Sequence, residues 1–515
     1  MPNTGRPSRD CHLCRKRRVK CDLARPACQR CIKYGAECPG YRDQQELVFR
    51  NADPAAVRKR KKRTPHSPGV TESSSSASDS GYPTPDLSSN GDFMFTSSTD
   101  VVLANGSNCN AVAPLTRPVF QHWTSHSVPI LLNVYSSLDF IQDIYSGYHK
   151  DGPLVWAAHL FSRTYVTNLR YPTAITRDAH TETQRELGAY LGKTLNSVNA
   201  ALNTPEGAFR DDVLATIWLL SNYELLIGSL SRTETLSPWH LHARGLYSIL
   251  KVRGVAPLYT AKGRMAFWPA YSMVQVQSLI NNTECPPESQ EWFEVIASSL
   301  SPGEGLGLHV SLFMTKVCSV QARIFSLFRR RDFNGASREY TELFAQMKTA
   351  EHEIEDWMES NPVGDHMLEI YVISLYQSAI IKGYNAVKLL INFLTHYPPC
   401  STPLQQLMAD REYCIKTAQI SAQGIIDSVP RILGPLTAKG QDKSPKTVFD
   451  AIRIIWPLIC VYVIDICRSE QRLTAEEYLF YIGRELGIRQ GLNTYSDKFN
   501  LPDEARLPFG EHAEL

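Results

Sequence analysis

Six of the chain's 13 cysteines, Cys11, Cys14, Cys21, Cys28, Cys31 and Cys38, fall within 28 residues, in the order C-x2-C-x6-C-x6-C-x2-C-x6-C. A C-x2-C pair lets two thiolates close on one ion from a single tight turn, as a tetrahedral zinc site requires. The spacing is also a repeat, in which 11/14/21 recurs as 28/31/38. Six thiolates cannot build two separate four-coordinate sites, which need eight, yet two zinc ions are satisfied if two cysteines bridge both. The symmetry of the repeat nominates the leading cysteine of each half, Cys11 and Cys28. Six thiolates against two dications leave the cluster about −2, a charge that surrounding cations offset. Too short for a hydrophobic core, the segment is expected to fold on its metal. Disulfides would need an oxidising compartment and do not account for the spacing, and an iron–sulfur site would need a run such as C-x2-C-x2-C, which is absent. The other seven cysteines, from Cys109 to Cys467, are scattered without motif spacing.

The residues between the cysteines suggest what such a module is for. Arg15, Lys16, Arg17, Arg18 and Lys20 place five cations in the first six-residue gap. As a turn and a half of helix they would carry a cationic face away from the metal, sized for a DNA major groove, where Arg and Lys donate to guanine O6 and N7. Arg6, Arg9, Arg30 and Lys33 are placed to meet phosphates. No aromatic residue interleaves the run, as single-strand stacking would want. Charge agrees once the chain is divided. The whole protein, 515 residues, carries only +2, but residues 1–63 hold 18 Lys and Arg against six Asp and Glu, a net of +12, and the remainder carries −10. Such asymmetry points to a polyanion-binding arm.

Over Arg6 to Tyr41 the sequence resembles the fungal-type binuclear zinc cluster transcription factors, through all six cysteines, the run CRKRRVKCD, Pro26, and Cys38-Pro39-Gly40-Tyr41. The resemblance implies two zinc ions bridged through Cys11 and Cys28. It also implies reading of CGG-type triplets in duplex DNA, with the base-contacting positions falling on Arg17 and Arg18. A second, looser resemblance, to that family's fungal-specific regulatory domain, covers Asp211 to Gly254, around DDVLATIWLLSNYELLIG and Trp239-x2-His242-x2-Gly245.

Three parts are expected: a small metal-nucleated α domain at 1–45, a disordered linker at 46–118, and a large all-α regulatory domain at 119–515. Between Thr64 and Thr99, 23 of 36 residues are Ser, Thr, Pro or Gly, too little apolar surface to offset the entropy of ordering. Ahead of it, Arg58, Lys59, Arg60, Lys61, Lys62 and Arg63 form six consecutive cations, as a nuclear localisation signal or a further phosphate clamp would. Beyond the linker, Pro153–Asn168, Asp211–Gly228, Trp239–Val252 and Met367–His396 show apolar residues at helical spacing, separated by breakers such as Asn203-Thr204-Pro205 and Asn361-Pro362. In the second of these, Val213, Ile217, Leu220, Glu224 and Ile227 share a face, and Asp211 and Asp212 stand where carboxylates cap a helix.

The longest apolar stretch, Ile454 to Ile464, is 11 residues, half of what a bilayer needs, so no membrane partner is expected. No G-x4-G-K-[ST], H-E-x-x-H or G-x-S-x-G motif is present, and an enzyme is not expected. His242 reads as a helix-packing residue. Residues 42–57 lack sustained heptads, so the protein either binds a single half-site or forms a homodimer through the helical domain. The reading is a nuclear regulator of RNA polymerase II transcription that binds CGG-containing promoter sites, its helical domain receiving an input or recruiting co-regulators and the transcription machinery. The competing class is a zinc-stabilised protein-interaction scaffold without direct base reading.

Overall fold

The computed structural model describes residues 11–17, 19, 21–24, 27–39, 131, 152–170, 180–230, 237–364, 366–397, 400–434, 447–493 and 501–510. The linker assigned to 46–118 and the six cations at 58–63 lie outside them. The chain divides into two compact units, 1–112 and 113–515. No strand occurs among the described residues.

In the first unit, α1 (His12–Arg17) and α2 (Gln29–Lys33) are each little more than one turn. Helices this short are not stable on their own. Their interior is sulfur: Cys11, Cys14, Cys21, Cys28 and Cys31 are buried, with Leu13 and Val19 packed against them.

The described part of the second unit is helical throughout. It runs α3 (Pro153–Arg170), α4 (His180–Leu202), α5 (Asp211–Ile227), α6 (Pro238–Arg253), α7 (Ala261–Asn281), α8 (Ser289–Ser298), α9 (Gly305–Arg330) and α10 (Phe333–Ser360). It continues with α11 (Met367–Thr395), α12 (Leu404–Leu433), α13 (Thr447–Val463), α14 (Ser469–Glu485) and the short α15 (Asp503–Arg506). The apolar stretch at 454–464 falls in α13 and the residue after it, almost wholly buried, and no described helix is long and apolar enough to cross a membrane.

Helix α5 is the expected Asp211 segment, but it does not show one buried face: every residue from Asp212 to Leu226 is buried. A helix enclosed on all sides is a core element. Nor do its leading acids cap it. Asp212 instead accepts from Arg210 Nε at 3.0 Å and Nη2 at 2.7 Å, and Asp211 pairs with Arg253 at 2.9 Å, tying α5 to the end of α6. The helix stops at Gly228, whose φ of +73° suits a residue without Cβ; there a Cβ would also stand 3.2 Å from the Arg489 backbone.

Helix α11 is the hub. Between Ser374 and Leu394 only Gln377 and Asn385 fall short of full burial. On one side α9 meets it through Phe313 against Tyr376 and Phe328 against Phe393, ring centroids 5.0 and 5.5 Å apart. On another, the Tyr384 hydroxyl and the Tyr413 hydroxyl of α12 both donate to Glu351 Oε2 of α10, the latter at 3.0 Å. At its C-terminal end Asn392 Nδ2 donates to the carbonyls of Ala505 and Arg506, so the end of the described chain is held against the hub.

Candidate metal centre and nucleic-acid interface

Two sets of four sulfurs converge in the first unit. Cys11, Cys14, Cys21 and Cys28 form one, and Cys11, Cys28, Cys31 and Cys38 the other, each with all Sγ atoms within 4.8 Å of one another. Cys11 and Cys28 belong to both. Separations within the two sets include 3.7 Å for Cys11–Cys28, 3.6 Å for Cys11–Cys31 and 3.7 Å for Cys14–Cys28. These are far beyond a disulfide bond of about 2.05 Å. They are close to the edge of about 3.8 Å that a tetrahedron with metal–sulfur bonds of about 2.3 Å must have. The donor set therefore fits tetrahedral zinc in size and in chemistry.

The repeat in the sequence is also a repeat in the backbone. Cys14 N–H donates to Cys11 Sγ at 3.4 Å, and Cys31 N–H to Cys28 Sγ at 3.3 Å. Val19 N–H closes on Cys14 O at 3.0 Å, and Ala36 N–H on Cys31 O at 3.1 Å. Each pair is related by 17 residues. In each half the amide of the second cysteine thus holds the sulfur of the first in the same place. Asp22 fixes the connection between the halves: its Oδ2 accepts from the Gln29 N–H at 2.9 Å.

Sulfur packed on sulfur resists ionisation without a counter-charge. Burial pushes the Cys14 thiol up to about 12, helped by hydrogen bonds from neighbouring thiols. Cys28 and Cys31 are raised too, chiefly by burial. Six thiolates in this space require cations among them, which two zinc ions would supply.

Of the basic residues expected at DNA, Arg30 and Lys33 are exposed in the last turn of α2. Arg15 and Lys16 lie on α1; Arg6, Arg9, Arg18 and Lys20 lie outside the described residues. Arg17, at the C-terminal end of α1, is half-buried because its guanidinium stacks on the Tyr34 ring, 3.3 Å from the centroid. The sequence alone assigns no role to Tyr34 or Asp22. The repeat offers a signal for the first, since Tyr34 follows Cys31 as Arg17 follows Cys14.

Residues 9–47 match the fungal Zn(2)-Cys(6) binuclear cluster domain. Residues 9–47 form a zinc-cluster domain. A domain of this kind binds two zinc ions and serves as the DNA-binding element of transcription factors. No curated protein and no solved structure matches the chain.

In the helical unit, His242 and Glu224 meet across α5 and α6, Nε2 to Oε1 at 3.5 Å. Glu224 Oε2 is buried without a hydrogen-bond partner. The pair joins two core helices, as expected of a packing histidine.

Proposed function

We propose that the protein is a zinc-dependent, sequence-specific DNA-binding transcription factor that acts in the nucleus on RNA polymerase II promoters containing CGG-type triplets, and that it is not an enzyme. Cys11, Cys14, Cys21 and Cys28 hold one zinc ion, and Cys11, Cys28, Cys31 and Cys38 the other. Zinc supplies the charge that keeps six thiolates together and the framework on which α1 and α2 fold. Arg17 and Arg18 inspect guanines, while Arg9, Arg15, Lys16, Lys20, Arg30 and Lys33 grip phosphates. Residues 58–63 act as the import signal. The helical domain, of the fungal-specific regulatory kind, recruits partners, responds to an input, or pairs with a second copy.

The observation that carries this reading is the pair of four-sulfur groups sharing Cys11 and Cys28, with a cationic helix between the cysteines of the first half. The test is binding of zinc-loaded protein to CGG-containing and scrambled duplexes over a range of salt. Preference for the CGG duplex is expected, with affinity falling steeply as salt rises because bound counterions are released. Equal binding to both duplexes, or binding indifferent to salt, overturns the reading; the second result would favour a protein-interaction scaffold.

A further inference from the structure

The stacking of Arg17 on Tyr34 joins the two halves of the zinc cluster outside the metal ligands. Tyr34 caps the C-terminus of α2, its backbone N–H directed to the carbonyls of Arg30 and Cys31, three residues beyond a cluster cysteine. Arg17 ends α1, likewise three residues beyond one. The backbones of both residues are thereby referenced to the same sulfur framework. A guanidinium held face-on to a ring keeps its N–H edge free. Among the described residues no hydrogen bond or ion pair occupies that edge, and Tyr34 itself is 58% exposed.

We infer that Tyr34 is a positioning residue for base recognition. Its ring holds the Arg17 guanidinium in one orientation, so that the bidentate N–H edge reaches guanine O6 and N7 already ordered. An unstacked arginine would have to give up its rotamer freedom on binding and would serve phosphates nearly as well as a base. Tyr34 therefore acts on selectivity more than on affinity, without touching DNA through a hydrogen bond of its own. This role rests on the DNA-reading function proposed above.

The test uses full-length, zinc-loaded protein and a pool of duplexes randomised at the triplet. The proteins are wild type, Tyr34→Phe, Tyr34→Leu, Tyr34→Gln, Arg17→Ala and the Tyr34→Leu/Arg17→Ala double variant, each assayed for zinc content. Tyr34→Leu and Tyr34→Gln are expected to lose about fivefold of the preference at the one base pair whose preference Arg17→Ala abolishes, with binding to a non-specific duplex unchanged. Tyr34→Phe, which keeps the ring, restores the preference. In the Arg17→Ala background Tyr34→Leu adds nothing. The role is overturned by unaltered preference in Tyr34→Leu, by loss spread evenly over the triplet, by a further loss in the Arg17→Ala background, by tighter binding, or by an Arg17→Ala protein that keeps every preference. Loss of zinc in both Tyr34→Leu and Tyr34→Gln would make Tyr34 a residue of the fold and overturn it equally. A wild-type protein with no base preference removes the DNA-reading function and this role together; a wild-type preference untouched by Tyr34 substitution removes this role alone.

Discussion

The Sγ atoms of Cys11 and Cys28 lie 3.7 Å apart, and each belongs to both four-sulfur groups, whereas Cys14, Cys21, Cys31 and Cys38 each belong to one. Substitutions within the cluster should therefore fall into two classes. Cys11→Ser or Cys28→Ser is expected to lose both zinc ions, and Cys14→Ser or Cys38→Ser to retain close to one. Metal-to-protein ratio measured by elemental analysis separates them; equal losses in all four variants would refute a shared pair.

Arg30 and Lys33 are exposed in the last turn of α2. As phosphate contacts, each replaced by Ala should weaken binding to CGG and scrambled duplexes alike and reduce the salt slope by about one. Arg18→Ala should instead relax guanine preference at one position, costing on the order of 1–3 kcal/mol there. Fluorescence anisotropy titrations at four or five salt concentrations report both quantities.

In the helical domain, two tyrosines serve one buried carboxylate. Tyr384 is fully buried and Tyr413 is 37% exposed, and both donate to Glu351 Oε2. Tyr384→Phe leaves the carboxylate short of a donor that water cannot replace, and is expected to cost about 1–3 kcal/mol of stability. Tyr413→Phe should cost less, since solvent can reach that position. Urea unfolding of the two variants gives the order, and a larger loss for Tyr413→Phe would contradict the burial argument.

His240 is buried at the start of α6, with Nδ1 2.7 Å from Ser237 Oγ. Burial holds its pKa below the ordinary value of 6.5, with Arg244 adding to the effect and Asn281 opposing it. A histidine kept neutral by the fold stabilises it above the unfolded pKa, and that contribution drains away as pH falls through about 6.5 toward the depressed folded value. Wild type should thus lose more thermal stability than His240→Gln between pH 7.5 and 5.5. Parallel melting temperatures across that window would remove His240 as the cause.

Much of the site and the outline of the fold followed from local chemistry. The C-x2-C-x6-C repeat restricts its thiolates to a shared-ligand zinc cluster, because ligand number and chain reach leave few other arrangements for six sulfurs in 28 residues. Helical periodicity marked the segments that became α3, α5, α6 and α11, since a 3.6-residue period is written directly in side-chain order. Periodicity says which residues avoid water, but not how many neighbours a helix has. For that reason α5 read as one buried face when it is enclosed on all sides, and Asp211 and Asp212 read as caps when Arg253 and Arg210 take their carboxylates. Those arginines are fixed by the packing of α6 and the turn before α5. Pairings such as Glu224 with His242 and Glu351 with Tyr384 were likewise a matter of tertiary structure. So was the stacking contact that joins the two halves of the cluster outside the metal. Arg17 and Tyr34 are 17 residues apart in the chain, and no local rule brings a cation onto a ring at that distance. Only the folding of both half-repeats about the same sulfurs places the guanidinium over the tyrosine.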